Sequence, residues 1–277
     1  MIEMKGKELR DKNIAKLKEK VETLDQPLGL AVIQIGNDEA SNVYVGQKEK
    51  MASKLGYNFI HKKYKETVKE STVLNYLKKL NKDDSIDGII VQMPIPEHLD
   101  TTKIQNAIDS YKDVDGLTFI NAGRLVENMP ALVPCTPKGI LDILEEYNIE
   151  LEGKNVVVIG RSILVGKPIA NLLTNRNATV TLCHSKSKNI EYYTKHADIV
   201  IVAVGKASFL KKEMVKEGCV VVDVGITRVN GKLHGDVDDE VRDVASYLTP
   251  VPGGCGPMTV YELMKNVYVA HKLRKNK

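Results

Sequence analysis

The sequence has no tryptophan, and aromatic residues make up only 5% of it. Its cysteines are few and far apart in sequence: Cys135, Cys183, Cys219 and Cys255. Because no two of them form a C-x-x-C pair, we expect no zinc site, no other metal site and no disulfide framework, and we interpret them as reduced thiols. Apolar runs are short as well, since IVIVAV at 199–204 falls far below the roughly 20 residues that cross a bilayer. These absences exclude a transmembrane helix and a disulfide-stabilised scaffold.

Charge of one sign does not dominate the chain. The net charge is +4, and lysine and glutamate alternate along most predicted helices instead of forming one basic block. We therefore do not expect a nucleic-acid partner. The N-terminal stretch MIEMKGKELRDKN is charged from its third residue and lacks the apolar segment of a secretory signal. We expect a cytoplasmic protein with no membrane partner.

Hydrophobic residues make up 43% of the 277 positions, which is enough for one large domain or two modest ones. Short apolar runs alternate with amphipathic stretches along the whole chain, and this pattern is typical of an α/β protein with parallel strands. The predicted strands are 29–36, 57–63, 86–94, 155–160, 178–183, 198–205, 219–225 and 246–250, and the predicted helices of the first half are 41–55 and 72–81.

A helix predicted at TPKGILDILEEY divides the chain. Thr136 is its expected N-cap and Pro137 its first helical residue. We predict a first domain over 1–136 and a second over 137–257. The segment at about 258–277 has apolar residues at helical spacing, and we expect this helix to pack back on the first domain.

The sequence NVVVIGRSILVGKP has the order strand, turn, helix. Gly160, Ser162 and Gly166 lie in its turn, where glycine permits a tight bend and the backbone N–H groups of the helix can bind a pyrophosphate. The pattern is G-x-S-x-x-x-G and not the usual G-x-G-x-x-G. An ordinary glycine-containing loop therefore remains an alternative.

The following strand ends in CHSKS and carries no acidic residue. A site for NAD normally has Asp or Glu there, to bind the ribose hydroxyls. Here Arg161 of the first loop and Ser185 with Lys186 of the second can surround a 2′-phosphate, which favours NADP over NAD.

The predicted helix at 41–55 contains several lysines that helical spacing separates. Lys48 has Tyr44, Val45, Met51 and Ala52 at i−4, i−3, i+3 and i+4, so it lies on the apolar face. Lys50 has mainly polar neighbours at these positions and should be solvated. A lysine on a buried face must lose its proton, find a partner or reach the surface with its amino group, so Lys48 is either a catalytic group or a snorkelling lysine.

Three further segments of the chain carry polar or glycine-rich patterns. Gln92 follows the buried run GIIV, and it either binds a ligand at the strand end or caps the loop. Asp113 and Asp115 in KDVDG are candidate ligands, although turn chemistry alone explains them. The segment LTPVPGGCGPMT can bring its backbone close to a ligand or serve as a rigid linker.

Taken together, YVGQK, VQMPIP, KDVDG, PCTPKG, GRSILVGKP, CHSKS, DVGI and TPVPGGCGPMT resemble the bifunctional methylenetetrahydrofolate dehydrogenase/methenyltetrahydrofolate cyclohydrolase family. The resemblance covers essentially the whole chain, with the motifs in order. It implies an N-terminal α/β catalytic domain, a Rossmann-like NADP domain with a mostly parallel sheet, a folate site in the cleft between them and a homodimer. It also implies a place in one-carbon metabolism and purine biosynthesis.

The resemblance also implies roles for individual residues. Lys48 matches the catalytic lysine, Gln92 the amide that tunes it, and Tyr44 the aromatic residue beside the pterin, while Asp115 matches the carboxylate that binds the pterin ring. The matching cofactor-binding positions are Gly160, Arg161, Ser162, Ser185 and Ile226, and the substrate-binding loop contains Gly253 and Gly254.

The implied reactions are oxidation of 5,10-methylenetetrahydrofolate with NADP and hydrolysis of the methenyl product to 10-formyltetrahydrofolate. Two alternatives remain: a dehydrogenase with weak or absent cyclohydrolase activity, and an NADP-binding sensor that has lost its chemistry. One position departs from the family pattern, because Cys255 stands where the PGGVG loop has valine. A free thiol in that loop leads us to expect sensitivity to alkylation.

Overall fold

A computed structural model describes residues 1–275 of the chain and divides into two compact units. The first unit comprises Asn13–Cys135 and the described residues from Val260 onward, and the second comprises Met1–Lys12 and Thr136–Thr259. This division differs from the predicted one at the N-terminus, where Met1–Lys12 belongs to the second unit. The reason is that the first strand of the chain pairs with a strand of that unit.

The strands are β1 (Ile2–Glu3), β2 (Gly29–Ile35), β3 (Asn58–Tyr64), β4 (Gly88–Val91), β5 (Asn155–Ile159), β6 (Thr179–Cys183), β7 (Ile199–Val202), β8 (Val220–Asp223), β9 (Thr227–Val229), β10 (Lys232–His234) and β11 (Tyr247–Leu248). The helices are α1 (Gly6–Glu22), α2 (Glu39–Lys54), α3 (Glu70–Lys82), α4 (Thr101–Asn106), α5 (Phe119–Val126), α6 (Cys135–Glu146), α7 (Gly166–Thr174), α8 (Ile190–Thr194) and α9 (Cys255–Lys275). The eight predicted strands and the two predicted helices of the first half are confirmed, with ends displaced by a few residues. No helix within residues 1–275 has the length and apolar character needed to cross a membrane.

The first unit is built on a parallel sheet in the order β3-β2-β4. All residues of the central strand β2 are buried, as a continuous apolar run covered on both faces requires. Ile33 of β2, Leu77 of α3 and Ile89 of β4 belong to one buried cluster. The later part of α9 packs in the same unit, where the Tyr57 hydroxyl donates to the Met264 carbonyl at 3.0 Å.

The second unit contains a parallel sheet in the order β1-β11-β8-β7-β5-β6. The valine and isoleucine runs of β5, β7 and β8 are buried on both faces, which explains why they are continuous and not alternating. From β5 the chain moves outward to β6 and then returns to β7 and β8 on the other side of β5. The strand order therefore reverses between β5 and β7, and ligands of open α/β sheets bind outside the carboxyl ends of the strands at such a point.

Two predicted helix starts are wrong by a few residues. Helix α6 begins at Cys135, so Thr136 lies inside the helix and its hydroxyl pairs with that of Thr259 at 2.9 Å instead of capping. Helix α9 begins at Cys255 and not near 258. Pro257 lies in its first turn, where proline is tolerated because the N–H groups of that turn have no partner within the helix. Residues 276–277 of this predicted helix lie outside the described residues.

The antiparallel hairpin β9–β10 was not predicted. Its turn contains Asn230 and Gly231, which both have positive φ, 49° and 79°. An Asn-Gly pair between short extended segments is the signal of a two-residue hairpin, and this signal is present in the sequence.

Candidate active site

The side chain of Lys48 meets that of Gln92 in the first unit. Lys48 is half-buried on α2, whereas Lys50 is exposed, as helical spacing predicts. The Lys48 Nζ donates to Gln92 Oε1 at 2.8 Å, and Gln92 Nε2 donates to the Met93 carbonyl at 2.8 Å. Because a carbonyl oxygen only accepts and a lysine amino group in this contact donates, the NH₂ group of Gln92 faces Met93 and its amide oxygen faces Lys48. Lys48 has therefore found a polar partner and does not simply reach the surface.

The Met93 carbonyl links helix α2, which bears Lys48, to Gln92 at the end of β4. Asp38 caps α2 by accepting from Ser41 N–H at 2.7 Å, and this hydrogen bond lowers the pKa of Asp38. The Ser41 hydroxyl donates to the Met93 carbonyl at 3.3 Å. The start of α2 and the end of β4 thus meet at Met93, which fixes the register between Lys48 and Gln92.

Tyr44 lies one helical turn before Lys48 and therefore on the same side of α2. Its side chain is 50% exposed, and within residues 1–275 it makes no hydrogen bond of its own. A half-exposed ring beside the lysine is free to stack on a flat ligand.

The two acids of KDVDG have different surroundings. Asp113 is fully buried and accepts from Thr118 N–H at 2.7 Å and from Asn121 Nδ2 at 3.0 Å, so turn chemistry explains it. Asp115 is only partly buried and lies within electrostatic range of Lys48. Burial raises the pKa of Asp115, the Lys48 charge lowers it, and the Asp113 charge raises it further. The structure thus brings Lys48, Gln92 and Asp115 together in one unit.

A residue that the sequence reasoning missed holds the Asp115 loop in place. Asn266 of α9 is buried, and its Nδ2 donates to the carbonyls of Val114 at 2.8 Å and Val133 at 2.9 Å. The sequence offered one signal for this residue: Asn266 is a single amide side chain among the apolar residues of α9.

In the second unit, the glycine loop after β5 has the shape of a phosphate cradle. Gly160 has φ +126°, and a Cβ on it would collide with the carbonyl of Ala203, while a Cβ on Gly166 would collide with the carbonyl of Gly160. Only glycine fits at either position. The Ser162 hydroxyl accepts from Val165 N–H at 3.1 Å at the start of α7. The Arg161 side chain is exposed and makes no hydrogen bond or ion pair within residues 1–275.

The loop after β6 lies at the same sheet edge, because β5 and β6 pair in parallel with Ile159 opposite Cys183. Two hydrogen bonds close this loop: His184 N–H donates to the Ser187 hydroxyl at 2.9 Å, and Ser187 N–H donates to the His184 carbonyl at 2.8 Å. They leave Ser185 exposed at the tip. The glycine turn, the exposed Arg161 and the exposed Ser185, in a loop whose residues 184–189 include no Asp or Glu, fit a dinucleotide with an added phosphate.

The remaining predicted positions also lie in the second unit. Ile226 is 47% exposed just after β8. Gly253 and Gly254 form a tight turn. Gly253 has φ +112°, and Gly254 N–H donates to the Pro250 carbonyl at 2.8 Å. The Gly253 carbonyl accepts from Lys7 N–H at 2.9 Å, so this turn is attached to the start of α1.

Cys255 does not have the surroundings of a reactive thiol. It is 5% exposed, its Sγ donates to the Asp223 carbonyl at 3.4 Å, and burial raises its pKa to about 12. The expected sensitivity to alkylation therefore does not fit the structure. All four cysteines are free, as the sequence predicts. Within residues 1–275 no three His, Cys, Asp or Glu side chains form a group that could hold a metal ion.

Comparison with known proteins places both halves of the chain in one family. Residues 4–115 match the model of the tetrahydrofolate dehydrogenase/cyclohydrolase catalytic domain. Residues 134–275 match the model of the NAD(P)-binding domain of tetrahydrofolate dehydrogenase/cyclohydrolase.

Individual relatives agree with these matches over nearly the full length. The chain is 51% identical over 251 residues to the bifunctional protein FolD of Campylobacter concisus, covering 89% of each chain. The crystal structure of the bifunctional enzyme FolD, methylenetetrahydrofolate dehydrogenase/cyclohydrolase, from Campylobacter jejuni superimposes with a TM-score of 0.97 at 44% identity, covering 99% of each chain.

A third relative was crystallised with ligands. The methylenetetrahydrofolate dehydrogenase-cyclohydrolase of Trypanosoma brucei, in complex with NADP cofactor and an inhibitor, has a TM-score of 0.94 at 34% identity, covering 100% of this chain and 99% of that one. With both domains matched in order and such identity over most of its length, the chain belongs to the tetrahydrofolate dehydrogenase/cyclohydrolase family.

Proposed function

We propose that this protein catalyses two successive reactions: NADP-dependent oxidation of 5,10-methylenetetrahydrofolate to 5,10-methenyltetrahydrofolate, and hydrolysis of that product to 10-formyltetrahydrofolate. The observation that carries the proposal is the hydrogen bond of 2.8 Å between Lys48 and Gln92, in a chain that belongs to this family. The second reaction needs a group that moves protons, and Lys48 is such a group.

The first reaction requires orientation more than acid–base catalysis. Bound NADP supplies the hydride acceptor. The main-chain N–H groups at the start of α7 bind the pyrophosphate, and Arg161 with Ser185 binds the 2′-phosphate. The carbon–hydrogen bond of the methylene group breaks with both electrons, and the adjacent nitrogen of the folate donates its lone pair to form the methenyl cation. No strong base is needed.

Substrate orientation comes from the first unit. The Asp115 carboxylate accepts paired hydrogen bonds from the ring N–H and the amino group of the pterin, and the Tyr44 ring packs on its face. Gly253 and Gly254 belong to the substrate loop in this proposal, where their backbone can approach the folate closely.

Hydrolysis then requires proton transfers that Lys48 supplies. Its free amine accepts a proton from the water that attacks the methenyl carbon, and the resulting ammonium donates a proton to the ring nitrogen as the carbon–nitrogen bond breaks. The hydroxyl proton left on the attacked carbon goes to solvent as the formyl carbonyl forms. Gln92 keeps the amine oriented through its oxygen, because its NH₂ group is engaged with Met93.

The same proposal extends to the setting of the enzyme. We infer that it acts as a homodimer in the cytoplasm and that its formyl product serves one-carbon metabolism, with purine biosynthesis as a consumer. Its membership of this family supports that inference.

One assay tests the reaction sequence. Purified protein is mixed with 5,10-methylenetetrahydrofolate and NADP, and NADPH and the methenyl intermediate are followed separately in one trace. NADPH formation with little methenyl accumulation supports both activities in one chain. If the methenyl species builds up and decays at the uncatalysed rate, the protein is a dehydrogenase only, and if no NADPH forms, the proposed oxidation is wrong.

A further inference from the structure

The segment Val204–Lys206 follows β7 and begins directly after Ala203, which contacts both the end of β5 and Gly160 of the glycine loop. Ala203 N–H donates to the Ile159 carbonyl at 2.8 Å, and the Ala203 carbonyl occupies the space that a side chain on Gly160 would need. These contacts place Val204–Lys206 at the point where the strand order reverses, which is where a dinucleotide binds.

A buried carboxylate fixes the conformation of this segment. Asp236 is fully buried, and its side chain accepts from three successive backbone N–H groups: Val204 at 2.6 Å, Gly205 at 2.9 Å and Lys206 at 2.7 Å. Three converging N–H groups form an anion-binding concavity. The chain's own carboxylate fills this concavity, so a phosphate of the cofactor cannot occupy it.

Asp236 is in turn positioned by the end of β8. Its backbone N–H donates to Asp223 Oδ1 at 2.8 Å, and Val237 N–H donates to Asp223 Oδ2 at 3.1 Å. A Cβ on Gly225 would collide with the Asp236 carboxylate, so the backbone next to Ile226 lies directly against it. One side chain therefore contacts the loops after both β7 and β8.

We propose that Asp236 is a positioning residue for the nicotinamide half of NADP, an inference that rests on the proposed function. In a doubly wound sheet the two halves of a dinucleotide lie on opposite sides of the reversal point. Arg161 and Ser185, on the β5–β6 side, take the adenosine half, so the loops after β7 and β8 take the other half. Since Asp236 is fully buried, it acts through these loops and not by touching the cofactor.

The variant Asp236→Asn tests this role because it keeps the size of the side chain while turning one acceptor oxygen into a donor that faces N–H groups. We expect the KM for NADP in the dehydrogenase reaction to rise about tenfold or more. Hydrolysis of supplied methenyltetrahydrofolate without NADP should stay within about twofold of wild type, because that step does not use the cofactor.

A binding measurement separates the two halves of the cofactor. Adenosine 2′,5′-bisphosphate carries only the adenosine half, so its affinity for Asp236→Asn should equal that for wild type, while NADP binds more weakly. The matched control is Asp238→Asn, whose carboxylate contacts Lys211, Glu240 N–H and the Ser208 side chain and accepts no hydrogen bond from Val204–Lys206. The control should leave both affinities unchanged.

An unchanged KM and an unchanged affinity for NADP in Asp236→Asn would overturn the proposal, and so would equal weakening of NADP and of the bisphosphate. If Asp236→Asn loses both activities through misfolding, the variant Gly205→Ala provides the second test of the same role. Gly205 has φ +66° with open space around its Cβ position, so alanine strains the loop without disturbing the core. If Gly205→Ala binds NADP more weakly but binds adenosine 2′,5′-bisphosphate as wild type does, the positioning role is supported. If Gly205→Ala binds NADP with wild-type affinity, the role is rejected. NADP binding can be measured by calorimetry without turnover. A negative result for Asp236 is therefore distinguishable from a failure of the proposed reactions.

Discussion

The amino group of Lys48 and the amide oxygen of Gln92 are joined by a hydrogen bond of 2.8 Å. The partner of the lysine is thus neutral. The amide oxygen orients the amino group of Lys48 by a hydrogen bond without placing a second charge at position 92. This relationship makes the pair suitable for hydrolysis of a cationic substrate.

The variant Lys48→Met should abolish cyclohydrolase activity, with a loss of about a hundredfold or more, because general acid–base catalysis contributes on that scale. Dehydrogenase activity should fall much less, since that step needs orientation and not proton transfer. The measurement is the separate recording of methenyl hydrolysis and NADPH formation. Lys50→Met, on the exposed side of the same helix, is the control and should match wild type. Equal hydrolysis rates in Lys48→Met and wild type would remove Lys48 from the mechanism.

The variant Arg161→Ala should raise the KM for NADP far more than the KM for NAD. Only NADP carries the 2′-phosphate that the guanidinium binds, so the ratio of the two KM values should change by about tenfold or more. Steady-state kinetics with both cofactors provide the check. Arg176→Ala removes an exposed arginine that pairs with Glu145 on the surface and should leave the ratio as it is. If the ratio also stays constant in Arg161→Ala, the 2′-phosphate binds elsewhere.

Asp223 should make the protein less stable as the pH rises through neutrality. Burial raises its pKa from 3.8 to about 7, with hydrogen bonds from the backbone acting in the opposite direction and the nearby Asp236 charge in the same direction. The folded state therefore binds a proton that the unfolded state has released. This stabilisation is complete below the unfolded pKa and is lost as the pH rises through the folded pKa.

Chemical denaturation at several pH values between about 5 and about 8 tests this effect. The unfolding free energy of wild type minus that of Asp223→Asn should decrease as the pH rises across that range. Asp198→Asn is the contrasting control, because its hydrogen bond to Lys216 lowers the pKa of Asp198 and its contribution changes only under more acidic conditions. If the unfolding free energies of wild type and Asp223→Asn change with pH in parallel, the raised pKa of Asp223 is contradicted.

Cys255 should resist alkylation in the native protein, because the thiolate is the reactive species and burial disfavours it. Iodoacetamide treatment followed by mass spectrometry should find Cys255 unmodified in native protein and modified after denaturation. The other three cysteines are buried too, so they serve as internal comparisons. Rapid modification of Cys255 with loss of activity, prevented by substrate, would show that the loop opens in solution.

Much of the fold follows from local patterns in the sequence. Continuous apolar runs such as GLAVIQI predict buried parallel strands because such strands are covered on both faces. Helical spacing separates Lys48 from Lys50 because residues three and four positions apart share a face. The family resemblance adds the roles of matching residues, and the domain matches confirm the family and the fold class.

Turn chemistry could not separate Asp113 from Asp115, because both lie in the same short turn and have the same side chain, and only the family resemblance singled out Asp115. Their difference comes from Thr118 and Asn121, which donate to Asp113 alone. Asn266 was equally hidden, since the Val114 carbonyl to which it donates lies 152 positions away.

The sequence by itself thus determined eight of the eleven strands within residues 1–275, the glycine loop, the position of Lys48 on its helix and the family. Only the tertiary structure decided that Asp113 is structural, that Cys255 is enclosed and that Asp236 holds the loop after β7. The physical reason is that backbone geometry sets the period of a helix or strand over a few residues. The burial and the partners of a polar side chain, in contrast, depend on residues far along the chain that only packing brings together.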